Sequence, residues 1–142
     1  MQPYATAEGK NTFEVATILE DKYSLMGTFV DLHGVDISNA VEKRVAAMVE
    51  RTFAGGSSAD TLAMLVAPLS GVEQKFRVYL DKEEMAGVVG GVPTQAALNG
   101  VNSRKKRIYR GKNPEKMQAR RASFIDTGLF RNNFRCWVDS QS

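Results

Sequence analysis

The chain has 142 residues, a net charge of +3, 43% apolar residues and 25% charged residues. This length and composition are typical of one globular domain, and they exclude a disordered chain or a small scaffold that needs disulfides to fold. The single cysteine, Cys136, excludes an internal disulfide, and no apolar run approaches the roughly 20 residues that span a bilayer. We therefore predict one soluble domain over residues 1–142, made inside the cell, with a flexible N-terminus at residues 1–11 that lacks signal-peptide features.

The first half of the chain shows helical periodicity. Apolar residues recur at helical spacing over residues 12–30 and predict a first helix that starts near Thr12. Gly34 is predicted to interrupt this helix, with His33 at its C-terminal end. A second helix is predicted over residues 37–53, with Asp36 as its N-cap.

The middle of the chain shows weaker helical periodicity. Residues 60–67 suit a short helix, which Pro68 is predicted to stop. Ser70 and Glu73 then have the spacing of a capping box, in which a hydroxyl and a carboxylate three residues apart satisfy the first N–H groups of a helix. We expect that helix to end at Gly87. A turn over residues 88–93 and a short helix over residues 94–98, closed by Asn99 and Gly100, complete this part.

A basic segment follows, which we call the basic arm (residues 104–121). It contains few residues that a core could bury, so we predict an exposed arm or extended loop. Its basic side chains are the candidate interaction residues Arg104, Lys105, Lys106, Arg107, Arg110, Lys112, Lys116, Arg120 and Arg121.

The charge is distributed unevenly along the chain. Residues 1–103 carry eight Lys and Arg against thirteen Asp and Glu, a net of −5, whereas residues 104–142 carry eleven against three, a net of +8. The basic arm could neutralise nucleic-acid phosphates, with Tyr109 available for stacking. It could equally dock on the acidic body of a neighbouring subunit, and such head-to-tail contacts can close into rings. We favour the protein partner and keep nucleic-acid binding as the alternative.

The last elements combine a helical turn and a strand signal. Leu129 and Phe130 suit one helical turn. Phe134, Cys136 and Val138 alternate with polar or exposed positions, and this period of two is typical of a strand. The predicted fold class is α+β: a mainly helical body, a small β-sheet that includes a C-terminal strand, and the long basic loop before the last elements.

The sequence Asp126-Thr127-Gly128 allows two interpretations. Aspartic proteases use Asp-Thr-Gly loops to bring two carboxylates together. That fold is almost wholly β and places most of its strands after the motif, whereas here the preceding chain is helical and fourteen residues follow Gly128. We therefore favour a structural turn in which Asp126 caps the following helical turn and Gly128 supplies an unusual backbone angle. Apolar residues around the turn are its predicted core anchors: Phe124, Ile125, Leu129, Phe130 and Phe134.

Other catalytic arrangements are not indicated by the sequence. One histidine and one cysteine cannot form a thiolate or imidazole metal site, and Cys136 is expected to be a small buried apolar residue. The glycine-rich run at residues 87–91 lacks the Gly-Lys-Ser/Thr of a phosphate loop. We expect no catalytic residues, no metal and no cofactor.

The run Phe124-Ile125-Asp126-Thr127-Gly128-Leu129-Phe130-Arg131-Asn132-Asn133-Phe134 resembles a signature of the tail-completion and head–tail joining proteins of long-tailed bacteriophages. In that family an Asp-Thr-Gly, an aliphatic residue and a basic residue occur near the end of a chain of similar length, after a variable loop. Phe130 stands between the aliphatic and basic positions here, which is a departure from the pattern.

The resemblance implies a non-enzymatic virion protein that is made in the host cytoplasm. Proteins of this family are small α+β subunits that form a ring, with six-fold or twelve-fold symmetry expected, at the neck or the head-proximal end of the tail. The implied partners are further copies of the chain, adjacent neck and tail-tube proteins, and DNA in the channel; no membrane is implied. The Asp126–Gly128 turn would then shape the subunit for assembly.

Overall fold

The computed structural model describes residues 11–101, 107, 110–113, 118–125 and 128–137, apart from the side chains of residues 58, 61 and 62. The predicted flexible segment therefore lies outside the described residues except for Asn11. Five helices occur in the described part: α1 (Thr12–Tyr23), α2 (Leu25–Phe53), α3 (Ser58–Asp81), α4 (Gln95–Leu98) and α5 (Leu129–Asn133).

The start of α1 is fixed by a capping box. The Asn11 side-chain oxygen accepts from the Glu14 N–H at 2.9 Å, and the Glu14 carboxylate accepts from the Asn11 N–H at 2.8 Å. Two N–H groups that the first helical turn leaves without partners are thereby satisfied. The predicted helix start near Thr12 is confirmed.

The single helix predicted over residues 12–30 is wrong, because the chain breaks between α1 and α2 at Ser24. This residue adopts a left-handed conformation (φ 51°) and serves as the end of α1 and the start of α2. Its side chain makes no capping bond to α2. The Glu20 carboxylate, one turn back in α1, accepts from the Met26 and Gly27 N–H groups at 2.6 and 3.2 Å instead. An acidic side chain is favourable there because a helix N-terminus carries positive partial charge.

The predicted interruption at Gly34 is wrong, because α2 continues through it to Phe53. A Cβ at Gly34 would meet only Val30, at an ordinary 3.5 Å. Glycine weakens a helix interior by only about 1 kcal/mol, which packing readily offsets. His33 is consequently not a helix cap. It lies inside α2, where its Nε2 contacts the Glu84 carboxylate at 2.5 Å.

The predicted stop at Pro68 is also wrong. Helix α3 begins after Ser57, whose hydroxyl oxygen accepts from the Asp60 N–H at 3.2 Å, and it continues past Pro68 to Asp81. Ser70 does not cap a new helix; its hydroxyl donates to the Ala67 carbonyl at 3.0 Å. Proline inside a helix costs roughly 3 kcal/mol, and the packing of α3 against α2 offsets this locally.

Helices α2 and α3 form an antiparallel hairpin. Arg51 lies 3.7 Å from Asp60 near the connecting loop, Lys75 lies 3.6 Å from Asp36 further along, and the Tyr79 hydroxyl donates to the Leu25 carbonyl at the far end. The core is concentrated at that far end, which we call the core end. Its buried members are Leu25, Phe29, Phe76, Tyr79, Leu80, Met85, Val92 and Phe130.

The predicted α+β class is wrong for the part of the chain that the structure describes, which contains helices and no strand or sheet. Phe134 is extended (φ −65°, ψ 126°), and exposure does alternate, since Cys136 is half-buried and Trp137 is 71% exposed. A strand also needs a neighbouring strand to bond its backbone. Here the Cys136 N–H donates to the Glu73 carboxylate of α3 at 2.9 Å. Val138 lies outside the described residues.

The two long helices exceed the roughly 20 residues that span a bilayer. Charged residues such as Glu42, Lys43 and Arg44 lower the hydropathy of α2. Within the described ranges, no helix combines the length and the apolar character that crossing a membrane requires.

Candidate functional site

The run that resembles the phage signature is described at residues 124, 125 and 128–134. These residues belong to a segment that we call the C-terminal strap, the described residues 118–125 and 128–137. Its first contact is with α4 and the turn that follows. The Arg121 N–H donates to the Ala97 carbonyl at 3.1 Å. Gly100 has φ 65°, and a Cβ there would lie 2.4 Å from the Ala119 carbonyl oxygen. Only glycine allows this approach, so the predicted helix end at Gly100, which is confirmed, also provides the docking place of the strap.

The Arg121 guanidinium holds the strap in shape. It donates to the carbonyl oxygens of Val101, Ala122 and Ile125 at 2.8, 3.1 and 3.1 Å. Phe124, inside this turn, has a left-handed backbone (φ 67°). Such a conformation persists in a bulky residue only where surrounding contacts enforce it. Arg121 is therefore a structural residue of the strap.

Glu83 is the centre of the polar contact between the strap and the body. Its carboxylate accepts from the Ser123 N–H and hydroxyl, both at 2.7 Å, and from the Arg120 guanidinium at 2.6 Å. Ser123 is 1% exposed, and its oxygen also accepts from the Thr94 N–H at 3.0 Å. Burial disfavours the ionised form of Glu83, but the bonds from Ser123 and the positive charges of Arg120 and Arg121 outweigh burial and lower the pKa of Glu83.

A second ion pair ties α5 to α3. The Arg131 guanidinium donates to both oxygens of the Asp81 carboxylate, with the Nε contact at 2.6 Å. This hydrogen bond lowers the pKa of Asp81 and raises that of Arg131. A two-pronged pairing of this kind fixes orientation as well as distance. The strap therefore docks on two carboxylates at the C-terminal end of α3 and just beyond it.

Aromatic packing supplies the apolar part of the attachment. Phe134 stacks on Phe76 of α3 with ring centroids 4.1 Å apart, and Phe130 meets the same ring edge-on at 6.3 Å. Phe124 meets Tyr23 of α1 at 5.0 Å. Among the five predicted core anchors, Phe130 is buried, Phe124, Ile125 and Phe134 are half-buried, and Leu129 is exposed.

The predicted turn is described only at Gly128, because Asp126 and Thr127 lie outside the described residues. Gly128 has φ 79° and precedes α5, whose Asn132 N–H donates to the Gly128 carbonyl at 2.9 Å. The helical turn predicted at Leu129 and Phe130 is confirmed as α5. Capping by Asp126 stays a prediction.

The basic arm divides into two described groups. Arg107, Arg110 and Lys112 are exposed, whereas Arg120 and Arg121 are bonded to the body. The remaining four predicted arm residues, Arg104, Lys105, Lys106 and Lys116, lie outside the described residues.

Four residues of the attachment are not among the predicted site residues: Asp81, Glu83, Ser123 and Arg131. The sequence feature that could have indicated this attachment is the acidic cluster at residues 81–84, whose charge is opposite to that of the basic C-terminal part. It indicates attraction between the two parts without indicating which charges pair.

Cys136 and His33 carry the thiol and the imidazole of the described residues, and both lie in contacts within the fold. Burial and the nearby Glu73 carboxylate raise the pKa of the Cys136 thiol, which keeps it protonated and unreactive at neutral pH. His33 is engaged by Glu84. The described residues contain no group of three or more His, Cys, Asp or Glu side chains that could hold a metal ion.

Comparison with known proteins adds no relative to this picture. No protein-family model matches the chain. No curated protein and no solved structure matches it either. The resemblance of residues 124–134 to the phage signature therefore rests on those residues alone.

Proposed function

We propose that the chain is a non-enzymatic structural subunit of a bacteriophage virion, located at the neck or the head-proximal end of the tail and assembled as a ring. The observation that carries this proposal is the set of contacts that the residues of the signature-like run make with α3. Phe130, Phe134 and Arg131 attach the strap to α3, and Gly128 begins the helix that carries them. A segment engaged in this way serves to shape a subunit, which is the role that the resemblance implies.

The polar groups of the strap support a structural role. Ser123, the buried hydroxyl beside a carboxylate, is held at 2.7 Å by Glu83 and also accepts from a backbone N–H. A serine nucleophile needs a base that takes its proton and an accessible oxygen. Ser123 is 1% exposed and is engaged on both sides, so its hydroxyl acts as a fixed link.

Charge complementarity supports assembly of several copies. Arg107, Arg110 and Lys112 are exposed on the arm, and Glu14, Asp21 and Asp31 are exposed on α1 and α2. The arm of one subunit can dock on the acidic helices of the next, which is a head-to-tail contact of the kind that closes rings.

Electron microscopy tests the proposal directly. The purified 142-residue chain, alone and after mixing with tail tubes, should form closed rings with six or twelve copies. Imaging of intact virions should place the same ring between the head and the tail tube. A chain that remains monomeric at every concentration and is absent from purified virions would contradict the proposal.

The arm is tested by removing its exposed charge. The triple variant R107Q/R110Q/K112Q should weaken ring assembly while leaving helix content unchanged, because none of the three side chains contributes to the described core. The matched control is K43Q/R44Q/K82Q, which removes three exposed basic charges from the body and should assemble normally. Equal assembly of both triple variants and the wild-type chain would exclude the arm from the contact.

Nucleic-acid binding is the second candidate, and the exposure of Arg107, Arg110 and Lys112 favours it. Binding to single-stranded or duplex DNA should then weaken steeply with salt, since each neutralised phosphate releases a counterion. The arm triple variant should reduce the slope of log affinity against log salt by roughly two to three. A flat salt dependence would exclude this candidate.

A further inference from the structure

The C-terminal strap docks on the body in the manner of a separate bound segment. Its described ranges, 118–125 and 128–137, contain 18 residues, close to the roughly 20–30 residues that one side of a stable protein–protein interface contributes. Aromatic packing, an ion pair and a hydrogen bond from the backbone all hold it to α3. A hydrophobic centre combined with directed polar bonds is the composition of an interface between chains.

The two sides of this contact are complementary in charge. The body presents the carboxylates of Asp81 and Glu83, and the strap presents the guanidinium groups of Arg131 and Arg120 that pair with them. The positive charge of Arg121 also acts on Glu83. Because the carboxylates belong to the body and the guanidinium groups to the strap, the docking place of one copy attracts the strap of any copy.

The segment that joins the strap to the body is longer than one copy requires. We call residues 102–117 the connector. Its two ends lie side by side, because the Arg121 Nε donates to the Val101 carbonyl at 2.8 Å. A Cβ at Gly100 would lie only 2.4 Å from the Ala119 carbonyl oxygen. Most connections have about 4–6 residues, and those beyond about 12–15 are usually functional or linkers. The 16 residues of the connector therefore exceed what closure within one copy needs.

The connector is long enough to reach another copy. Sixteen extended residues span at most about 55 Å, whereas a domain of 142 residues has a diameter of roughly 37 Å. The described part of the connector, residues 107 and 110–113, is exposed throughout. The Gln118 side chain donates to the Arg107 carbonyl at 2.9 Å, and this exposed contact is given up when the connector extends.

Release of the strap relieves strain in its backbone. Phe124 has a left-handed conformation (φ 67°), which is unfavourable for a residue with a bulky side chain. The Tyr23 ring of α1, 5.0 Å away, and the bond from Arg121 to Val101 hold this part of the strap against the body. Both contacts are absent from a released strap, so Phe124 can return to an ordinary conformation. This offsets part of the cost of undocking.

We propose that the strap is exchanged between copies in the ring, so that the strap of each copy docks on the body of the next. Exchange of an identical element keeps the contacts between strap and body and has a low cost. The strap and its docking place are different surfaces, so the contact is head-to-tail and repeats until the ring closes. This inference rests on the proposed ring and names the segment that joins its subunits.

Shortening the connector tests the exchange. A chain that lacks residues 102–106 and 113–117 keeps six connector residues, among them Arg107, Arg110 and Lys112. Six residues suffice to join ends that lie side by side, but they reach only about 20 Å. The shortened chain should therefore fold with its strap docked on its own body. In sedimentation velocity it should remain monomeric, with at least a tenfold loss of assembled material.

The matched control replaces the same ten residues by glycine and serine, which keeps the reach of the connector and removes the same side chains. It should assemble as the wild-type chain does, and circular dichroism should show equal helix content in all three chains. Wild-type amounts of rings from the shortened chain would overturn the exchange. Loss of rings from both variants would assign the effect to the removed side chains and would also overturn it.

Cross-linking within assembled rings identifies the copy that supplies the strap. Arg131→Lys keeps a positive charge opposite Asp81, and a carbodiimide can join the new amine to that carboxylate as an amide while taking up the released water. Rings are assembled from equal amounts of ¹⁴N and ¹⁵N chains of this variant, and the linked peptides are analysed by mass spectrometry. Roughly half of the links between positions 131 and 81 should join different isotopes, because neighbours of either isotope are equally available. The control link between Lys75 and Asp36, which lie 3.6 Å apart within one hairpin, should join like isotopes only.

The outcomes separate this inference from the proposed function. Rings in which positions 131 and 81 are linked only between like isotopes would overturn the exchange and leave the proposed ring intact. Mixed-isotope links in dimers or open chains, without closed rings or virion localisation, would support the exchange and contradict the proposed function. A chain that stays monomeric at every concentration would overturn both.

Discussion

The two ends of the α2–α3 hairpin use the same helices in opposite ways. At the core end, Phe29, Phe76 and Tyr79 form a buried aromatic cluster that α1 and the strap cover. At the other end, which we call the distal hairpin (residues 35–71), Phe53 is 88% exposed and Val35 is 74% exposed. Stability of the isolated chain is therefore concentrated at the core end. The distal hairpin is available for contacts with other molecules.

The largest difference between the two ends is expected from truncating an aromatic residue at each. Phe76 is fully buried and contacts Phe29, Phe130 and Phe134, so Phe76→Ala should lower the free energy of unfolding by about 3–5 kcal/mol. Phe53→Ala is the matched control in the distal hairpin and should change it by no more than about 0.5 kcal/mol. Urea denaturation measures both. Similar losses of unfolding free energy at the two positions would contradict the conclusion that stability is concentrated at the core end.

The attachment of the strap at the core end is tested at Gly100. Gly100→Ala should cost about 1–2 kcal/mol for the left-handed backbone and about 1–3 kcal/mol more for displacing Ala119, because the new Cβ would lie 2.4 Å from its carbonyl oxygen. Gly87→Ala has a similar backbone (φ 83°) with no neighbouring atom within 4 Å, so it should incur only the first cost. Thermal and urea unfolding of both variants would isolate the contact, and equal losses would argue against close docking.

The polar part of the attachment should depend on pH. The pKa of Glu83 is lowered in the folded chain, so its ionised form stabilises the fold fully above its ordinary pKa of 4.5 and loses this effect as the pH falls through the lowered value. Glu83→Gln should therefore cost about 1–2 kcal/mol at pH 7. The difference from the wild-type chain should shrink as the pH falls below 4.5.

The control for this prediction is Glu42→Gln, which removes the same charge from an exposed position in the distal hairpin. It should change the free energy of unfolding by no more than about 0.5 kcal/mol at pH 7. A Glu83→Gln penalty that stayed constant from pH 7 to acidic pH would show that the ionised carboxylate is not the stabilising form.

The smallest effect is expected at Gly34, where α2 leaves the core end. Because the helix is continuous there and a Cβ meets only Val30 at 3.5 Å, Gly34→Ala should stabilise the chain by about 0.5–1 kcal/mol. A chain broken at this glycine would instead be destabilised by the alanine. Urea denaturation distinguishes the two signs.

Capping and spacing rules predicted those helices whose sequence signal lies within a few neighbouring residues. The start of α1, the short α4 with its end at Gly100, and α5 follow from caps and spacing over a few residues. Local rules failed at Gly34 and Pro68, where each residue weakens a helix by an amount that tertiary packing exceeds. The strand predicted from the alternation at Phe134 failed because a strand depends on a partner, which the local pattern does not specify.

The attachment of the strap was predictable only in part. Aromatic residues around Gly128 indicated burial, and the opposed charges of the two parts indicated attraction. The pairing of Arg131 with Asp81 and of Ser123 with Glu83 joins residues forty or more positions apart. Charge and hydropathy patterns along the chain do not encode such pairings.

The separation between α3 and the strap along the chain has a consequence for biosynthesis. The Cys136 backbone bonds to Glu73 across 63 residues of chain, and the strap covers Phe76 in the same region. At synthesis rates of roughly 5–20 residues per second, α3 waits about 3–13 seconds for this cover. During that interval its aromatic surface lacks the cover of Phe134, and a chain truncated before Phe134 should be more prone to aggregate than the wild-type chain, because exposed apolar surface promotes association.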